Sequence, residues 1–183
     1  TIPNSVTTIG RWAFGNCGSV ESITIPDSVT TIGIATFSGC KNLTTIPFFN
    51  TGKVTNFGYM FYNCPKLTTV PLLNTSRATQ MNYMFQKCES LTEIPLFETN
   101  KVTSMANMFS NCIKLITIPS LNTDSVTLAD YMFHKCESLT TVPLLNAEKM
   151  SRVQNMFKGC TSLTNLGGLK DLGKAYTQKA TSY

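Results

Sequence analysis

The chain has 183 residues, enough for one sizeable domain with a buried core. It is 42% hydrophobic but only 14% charged, about half the usual charged fraction, so its outer faces must be built largely from Thr, Ser and Asn. The net charge of +5 comes without clustered arginines and interleaved aromatics, which argues against nucleic acid as a partner. The apolar runs are too short to span a membrane, and no charged-then-apolar leader opens the chain, so this segment shows neither membrane insertion nor a signal peptide.

The first forty residues contain one phrase twice. "TIPNSVTTIGRWAFGNC" fills residues 1–17, and "TIPDSVTTIGIATFSGC" fills residues 24–40. Both copies carry a β-rich Val-Ile-Gly phrase, which defines a first repeat subtype over residues 1–40. The chain opens inside a copy, so we expect further sequence upstream.

A second subtype follows over residues 41–166 with a period of 24 residues. Each copy repeats a leucine three residues after a cysteine, a proline four residues later, and a Met-Phe pair just before the next cysteine, as at Leu43, Pro47 and Met60-Phe61. Because one coil cannot bury its own apolar side, neighbouring coils must stack, and the sequence predicts a single solenoid over residues 1–166.

Within one coil the sequence predicts a strand, a turn and a helix. Leu43 and Ile46 should point inward and Thr45 outward, in a short strand that ends at the proline. The next residues have turn chemistry, and the column of Gly52, Ser76, Asn100, Asp124 and Glu148 consists mostly of helix N-cap types. Behind it, apolar residues at i, i+3, i+7 and i+10 predict a short helix or helical turn; these are Val54, Phe57, Phe61 and Cys64.

After Leu166 the pattern dissolves, so residues 167–183 are interpreted as a tail or as the start of a further region. Both ends would expose uncapped coils, and we expect weak end-to-end self-association of the fragment.

The repeats resemble the BspA-like leucine-rich repeat. "IPDSVTTIGIATFSGC" follows the pattern I-P-x-S-V-T-x-I-G-x-x-A-F-x-x-C, with Thr36 where the family prefers alanine, and the later coils look like a second repeat of the same kind. The resemblance implies an α/β, right-handed leucine-rich-repeat solenoid of about seven coils, with short parallel strands on one face and short helices or helical turns on the other. It also implies an exported, surface-attached protein that adheres to host matrix proteins or to other cells. The family has no catalytic or ligand motif to transfer.

Seven cysteines are spaced by 23 residues once and by 24 residues five times. A disulfide framework fits the spacing between coils, but the odd count leaves one thiol over. Zinc sites need ligand pairs a few residues apart, and each coil offers one thiol. The third alternative, a buried column of small apolar residues, is the one we favour. The column is Cys17, Cys40, Cys64, Cys88, Cys112, Cys136 and Cys160.

Nothing in the sequence predicts an enzyme or a cofactor. The one histidine, His134, falls in a column otherwise filled by Tyr62, Gln86, Ser110 and Lys158, which is typical of variable surface. The acids form no recognisable motif, and no inserted loop would build a deep pocket.

Outward columns are where a solenoid carries function. One column should line the strand face; it is Thr45, Thr69, Glu93, Thr117 and Thr141. A second contains Ser125 and four basic residues, which are Lys53, Arg77, Lys101 and Lys149. Either column fits a plain soluble surface or a docking face, the second for an acidic partner. A third column should lie half-buried at the convex rim, with Tyr59, Tyr83, Asn107, Tyr131 and Asn155.

The sequence therefore favours a non-enzymatic module at the cell surface or outside the cell, which binds a host matrix protein or an acidic glycan. The alternative is a structural spacer that presents another domain and binds nothing. A binding face should break the repeat, and breaks cluster in two neighbouring coils at Glu93, Glu98, Ser120 and Ser125.

Overall fold

The computed structural model describes residues 2–164 and the backbone of residues 169–170. The described residues contain four strands of two residues each: β1 (Thr8–Ile9), β2 (Thr31–Ile32), β3 (Leu145–Asn146) and β4 (Leu169–Lys170). β1 pairs in parallel with β2, and β3 pairs in parallel with β4. Between these two strand pairs, successive repeats are linked by single parallel bridges. The bridges join Asn56 to Gln80, Gln80 to Ser104, Ser104 to Leu128, and Leu128 to Arg152. We name each repeat unit by the cysteine that ends it, so that residues 41–64 are the Cys64 unit.

The strand predicted at Leu43–Ile46 is wrong. Leu43 and Ile46 are buried as predicted, but Thr44 and Thr45 between them are both exposed, which a pleated strand does not allow. Where this segment is joined to the next unit, a single backbone hydrogen bond makes the link, as from Thr68 N–H to Thr44 O at 3.0 Å. The regular parallel ladder lies instead eight residues before each cysteine.

The short helix or helical turn predicted behind the turn is also absent: no helix occurs within residues 2–164, and the turn that Met60 N–H closes on Phe57 O contains the left-handed Tyr59. Val54, Phe57, Phe61 and Cys64 are buried as the spacing predicted. However, Tyr59 has a φ of 58° and Asn63 a φ of 56°, and this left-handed backbone interrupts any α-helix. The same two positions have positive φ in every unit, five residues and one residue before the cysteine.

These positive-φ residues serve a second backbone pattern that links the units. In the Cys64 unit the amides of Phe57, Tyr59, Phe61 and Asn63 donate to carbonyls of the next unit, at 2.7–3.1 Å. The amides between them close turns inside their own unit, as from Met60 to Phe57 and from Tyr62 to Tyr59. Alternate amides thus point to the neighbour and to the same unit, so buried backbone groups are paired without helix or sheet.

A ladder of phenylalanine rings fills the centre of the stack. Neighbouring rings are nearly parallel, with interplanar angles of 3–10° and centroids 5.4–5.8 Å apart. The ladder runs across the junction between the two repeat subtypes through Phe37 and Phe61. This phenylalanine column contains Phe14, Phe37, Phe61, Phe85, Phe109, Phe133 and Phe157.

The glycine of the first-subtype phrase is required by close packing. A Cβ on Gly33 would clash with the backbone nitrogen of Arg11 in the preceding unit. No side chain fits there without moving backbone.

The division into subtypes and tail stays a prediction, and Leu166 lies outside the described residues. β4 nevertheless continues the 24-residue register from β3.

The left-handed positions give a stability prediction. Lys87 has a φ of 62°, a conformation that costs an L-residue about 1–2 kcal/mol, whereas Gly39 and Gly159 occupy the same place in other units. We expect Lys87→Gly to stabilise the protein by about 0.5–1 kcal/mol and Lys87→Val to destabilise it by at least as much. Midpoints of urea unfolding measure both changes.

Glu89→Gly is the matched control, because Glu89 is exposed two residues away and has no positive φ. There glycine should destabilise by about 0.5–1 kcal/mol. If Lys87→Gly lowers the midpoint as Glu89→Gly does, the left-handed backbone at Lys87 is not present in solution.

Candidate binding surfaces

The predicted basic column lies at a repeated β-turn. Each turn is closed by an amide that donates to a buried residue three positions earlier, as from Val54 to Thr51 at 2.9 Å and from Val102 to Thr99 at 3.0 Å. The basic residue is the third residue of the turn in each case, and all four basic side chains are exposed. The structure therefore brings Lys53, Arg77 and Lys101 to the same corner of three successive units.

The column has an interruption and a change of charge at its far end. Ser125 takes the basic position in the Cys136 unit, is half-buried, and donates its hydroxyl to Asn100 O at 2.9 Å. Beside it, Asp124 accepts hydrogen bonds from the amides of Asn146 at 2.8 Å and Asn122 at 3.2 Å. Lys149 is thus separated from the other three cations.

Four of the five residues read as helix N-cap types instead form Asx turns; these are Gly52, Ser76, Asp124 and Glu148. The amide of Gly52 donates to Asn50 Oδ1 at 3.0 Å, and Asp124 and Glu148 repeat this contact with their own asparagines. These side-chain bonds fix the entry to the β-turn, and in three units they hold the basic residue at the corner, at Lys53, Arg77 and Lys149.

The threonine column is exposed along its whole length. This set, Thr45, Thr69, Glu93, Thr117 and Thr141, has no buried member. Because the segment is not a strand, its members form a row of exposed side chains rather than one face of a sheet.

The structure exposes a set of apolar side chains that the sequence analysis missed. Eight residues after a cysteine, four large apolar residues are 59–66% exposed. This apolar column consists of Phe48, Leu72, Leu96 and Leu144. The residue that follows each of them is buried, with exposures of 0–2% at Phe49, Leu73, Phe97 and Leu145.

A feature of the sequence could have revealed this column. Four units place two apolar residues in succession after their proline, and an extended chain buries only one of two neighbours. Ser120 stands at the first of the two positions in the Cys136 unit, whereas the second is always Phe or Leu. That tolerance of serine marks the first position as the exposed one.

All seven cysteines are free thiols, of which five are buried and two, Cys17 and Cys160, are half-buried. Six of them approach the backbone of the preceding unit: Cys64 Sγ lies 3.2 Å from Phe37 O, and Cys88 Sγ lies 3.1 Å from Phe61 O. The thiol thus donates a weak hydrogen bond to the carbonyl of the phenylalanine column. A small residue with a donor suits this position better than alanine or a bulkier apolar group.

Burial also makes these thiols poor nucleophiles. Desolvation, helped by the neighbouring cysteine, raises the pKa of Cys40 to about 11 and that of Cys64 to about 12. The pKa values of Cys88, Cys112 and Cys136 are raised well above the usual range for the same reasons. Because the thiolate is the reactive form, the column is held in its inert form.

The one histidine lies among aromatic and cationic side chains. His134 is half-buried, its ring contacts Tyr131 edge-on at 5.5 Å, and desolvation together with Lys135 and Lys158 lowers its pKa. No group of three His, Cys, Asp or Glu residues that could hold a metal occurs in the described part of the chain. Over the same residues no helix is long and apolar enough to cross a membrane.

Comparison with known proteins identifies the family. The profile of the BspA type leucine rich repeat region, with six copies, matches residues 1–104 and 59–176. The chain belongs to this family, and its fold is a leucine-rich-repeat solenoid. A comparison with curated protein sequences gives no match.

Solved structures of bacterial leucine-rich-repeat proteins are similar to the chain, among them these two. A leucine rich cell surface protein from Faecalibacterium prausnitzii is 29% identical, with 87% of this chain and 42% of that one covered and a TM-score of 0.55. A leucine-rich repeat protein from Eubacterium ventriosum is 21% identical, with 90% of this chain and 37% of that one covered and a TM-score of 0.49. The chain thus spans less than half the length of either protein.

The cysteine geometry predicts slow thiol chemistry in the native state. With Ellman's reagent at neutral pH, we expect at most Cys17 and Cys160 to react at once, and the five buried thiols to react only on unfolding. Absorbance at the reagent's product band counts the thiols with and without denaturant. Thr45→Cys, at an exposed position, is the positive control and should add one fast thiol. Rapid native reaction of most of the seven would contradict a buried column.

Proposed function

We propose that the chain is a non-enzymatic binding module of a cell-surface protein, and that it docks a partner protein through the apolar and basic columns. The observation that carries the proposal is the apolar column, whose four side chains are 59–66% exposed. A soluble protein scatters such residues singly, whereas here they recur at the same place in neighbouring units. Surface location is supported by the family and by its F. prausnitzii relative, a leucine rich cell surface protein.

The two columns together favour one kind of partner. Lys53, Arg77 and Lys101 follow the apolar residues Phe48, Leu72 and Leu96 by five positions in each of three successive units. Apolar contacts at the centre of an interface supply affinity, and flanking charges steer the encounter and select the partner. The complementary surface is a protein segment that alternates apolar and acidic side chains, such as a segment of a host matrix protein.

An acidic glycan would use only half of this surface. It would contact the basic corner but would leave the apolar column in water, so the exposed leucines favour a protein. The spacer alternative predicts monotonous units. Substitutions instead interrupt both columns in the Cys136 unit, at Ser120 and Ser125.

Binding to immobilised fibronectin and to heparin, at low and at physiological salt, tests the proposal. We expect salt-sensitive binding to fibronectin that falls at least tenfold in Lys53→Glu/Arg77→Glu/Lys101→Glu, because three attractive charges become repulsive. Leu72→Ser/Leu96→Ser copies the natural Ser120 and should weaken the same binding about tenfold.

The matched control is Lys41→Glu/Lys66→Glu/Lys114→Glu, which makes the same change of net charge at exposed lysines outside the basic column. It should retain most of the binding. Heparin binding that is indifferent to the two serine substitutions would identify an acidic glycan as the ligand. No binding to either surface would favour the spacer.

A further inference from the structure

A notch opens on another side of the solenoid, about half a unit along the chain from the apolar column. It has a volume of about 370 Å³, close to the lower end of the ~300–1,000 Å³ typical of small-ligand sites. Residues of four successive units line it, among them Tyr83, Asn107 and Tyr131. None of its residues belongs to the columns assigned above to the docking of a protein.

The notch exists because the tyrosine column is interrupted. Tyr59 and Tyr83, in adjacent units, stack with ring centroids 4.4 Å apart and an interplanar angle of 10°. In the next unit Asn107 takes the tyrosine's place, with a similar φ of 58°, and Ala106 precedes it. Tyr83 and Tyr131 are therefore two units apart, which corresponds to about 10 Å.

That separation fits one saturated sugar ring. A ring in van der Waals contact with an aromatic face on each side needs about 8–9 Å between the two faces. The C–H groups on the two faces of a pyranose are weakly positive and suit the negative face of a tyrosine ring. Each tyrosine also carries a hydroxyl that can donate and accept hydrogen bonds.

The rest of the lining is polar and held in place. Asp130 is 6% exposed, and its carboxylate binds Arg152 Nη2 at 2.6 Å and accepts the amide of Gln154 at 2.8 Å. The Arg152 side chain stays 64% exposed, with further N–H donors on its guanidinium. Asn107 is joined to Gln86, whose Nε2 lies 3.4 Å from Asn107 Oδ1.

We propose that this notch is a binding site for a neutral hexopyranose, placed between Tyr83 and Tyr131 with its hydroxyls on Asn107, Arg152 and Gln80. Planar amide and guanidinium groups match the adjacent hydroxyls of a sugar. Asp130 neutralises the charge of Arg152, so the site favours neither an anionic nor a cationic sugar. An aromatic side chain of a partner would fit the gap but would make no use of the further N–H donors on the exposed guanidinium of Arg152.

The proposal does not depend on the protein-docking surface. Saturation-transfer difference NMR with the methyl glycosides of glucose, galactose, mannose and N-acetylglucosamine provides the test. We expect saturation of the ring protons of at least one glycoside, with a Kd on the order of millimolar. N-acetyltryptophan amide is the comparison probe for an aromatic side chain.

Asn107→Tyr should restore the tyrosine column, fill the gap and lower the affinity at least tenfold. Asn155→Tyr is the matched control, because it makes the same change at the same place in another unit, where φ is 52°, and lines no part of the notch. It should bind as the parent does. Tyr131→Asn removes one wall, copies natural residues of the column, and should also abolish binding.

Three results would overturn the proposal. One is the absence of saturation transfer to all four glycosides. Another is binding that persists in Asn107→Tyr, which would place the sugar elsewhere. The third is binding of N-acetyltryptophan amide without binding of any glycoside. Thermal unfolding of each variant confirms that it is folded before binding is compared.

Discussion

The structure depends on the alternation of backbone amides between two kinds of acceptor. In the segment before each cysteine, every second N–H leaves its own unit and reaches a carbonyl of the next, while the intervening N–H groups close local turns. This requires two left-handed residues per unit, as at Tyr83 and Lys87. Isolated left-handed residues are costly, and they persist because stacking fixes them on both sides. The phenylalanine rings and cysteine thiols then pack in register.

Much of this register could be predicted from the sequence, but not the backbone that produces it. The period, the stack and the burial of Val54, Phe57 and Phe61 follow from the spacing of apolar residues. The predicted helix is absent, because the spacing of apolar residues indicates which residues are buried but not the sign of their φ angles. Asn or Gly before five of the cysteines was the available sign of left-handed backbone. The strand was misplaced for a related reason, since two exposed residues separate Leu43 from Ile46.

Strict repetition in the core leaves variation to the surface. The basic and apolar columns repeat from unit to unit, whereas the notch lies where the repetition changes, at Asn107. The basic corner was predictable because its charges recur without compensation. The apolar column was missed because its neighbours in the chain are also apolar. The notch was missed because it depends on an absence, a tyrosine replaced by Asn107, combined with the pair of Asp130 and Arg152 from adjacent units. One solenoid can thus present two chemically different surfaces on different sides.

Residue-resolved hydrogen exchange by NMR tests the alternating backbone most directly. The account predicts strong protection for the amides of Phe57, Tyr59, Phe61 and Asn63, and chemical shifts of Tyr59 and Asn63 that report positive φ. Protection should be similar at the equivalent residues of the Cys88 and Cys112 units. Rapid exchange of these amides, or helical chemical shifts across residues 54–64, would contradict it.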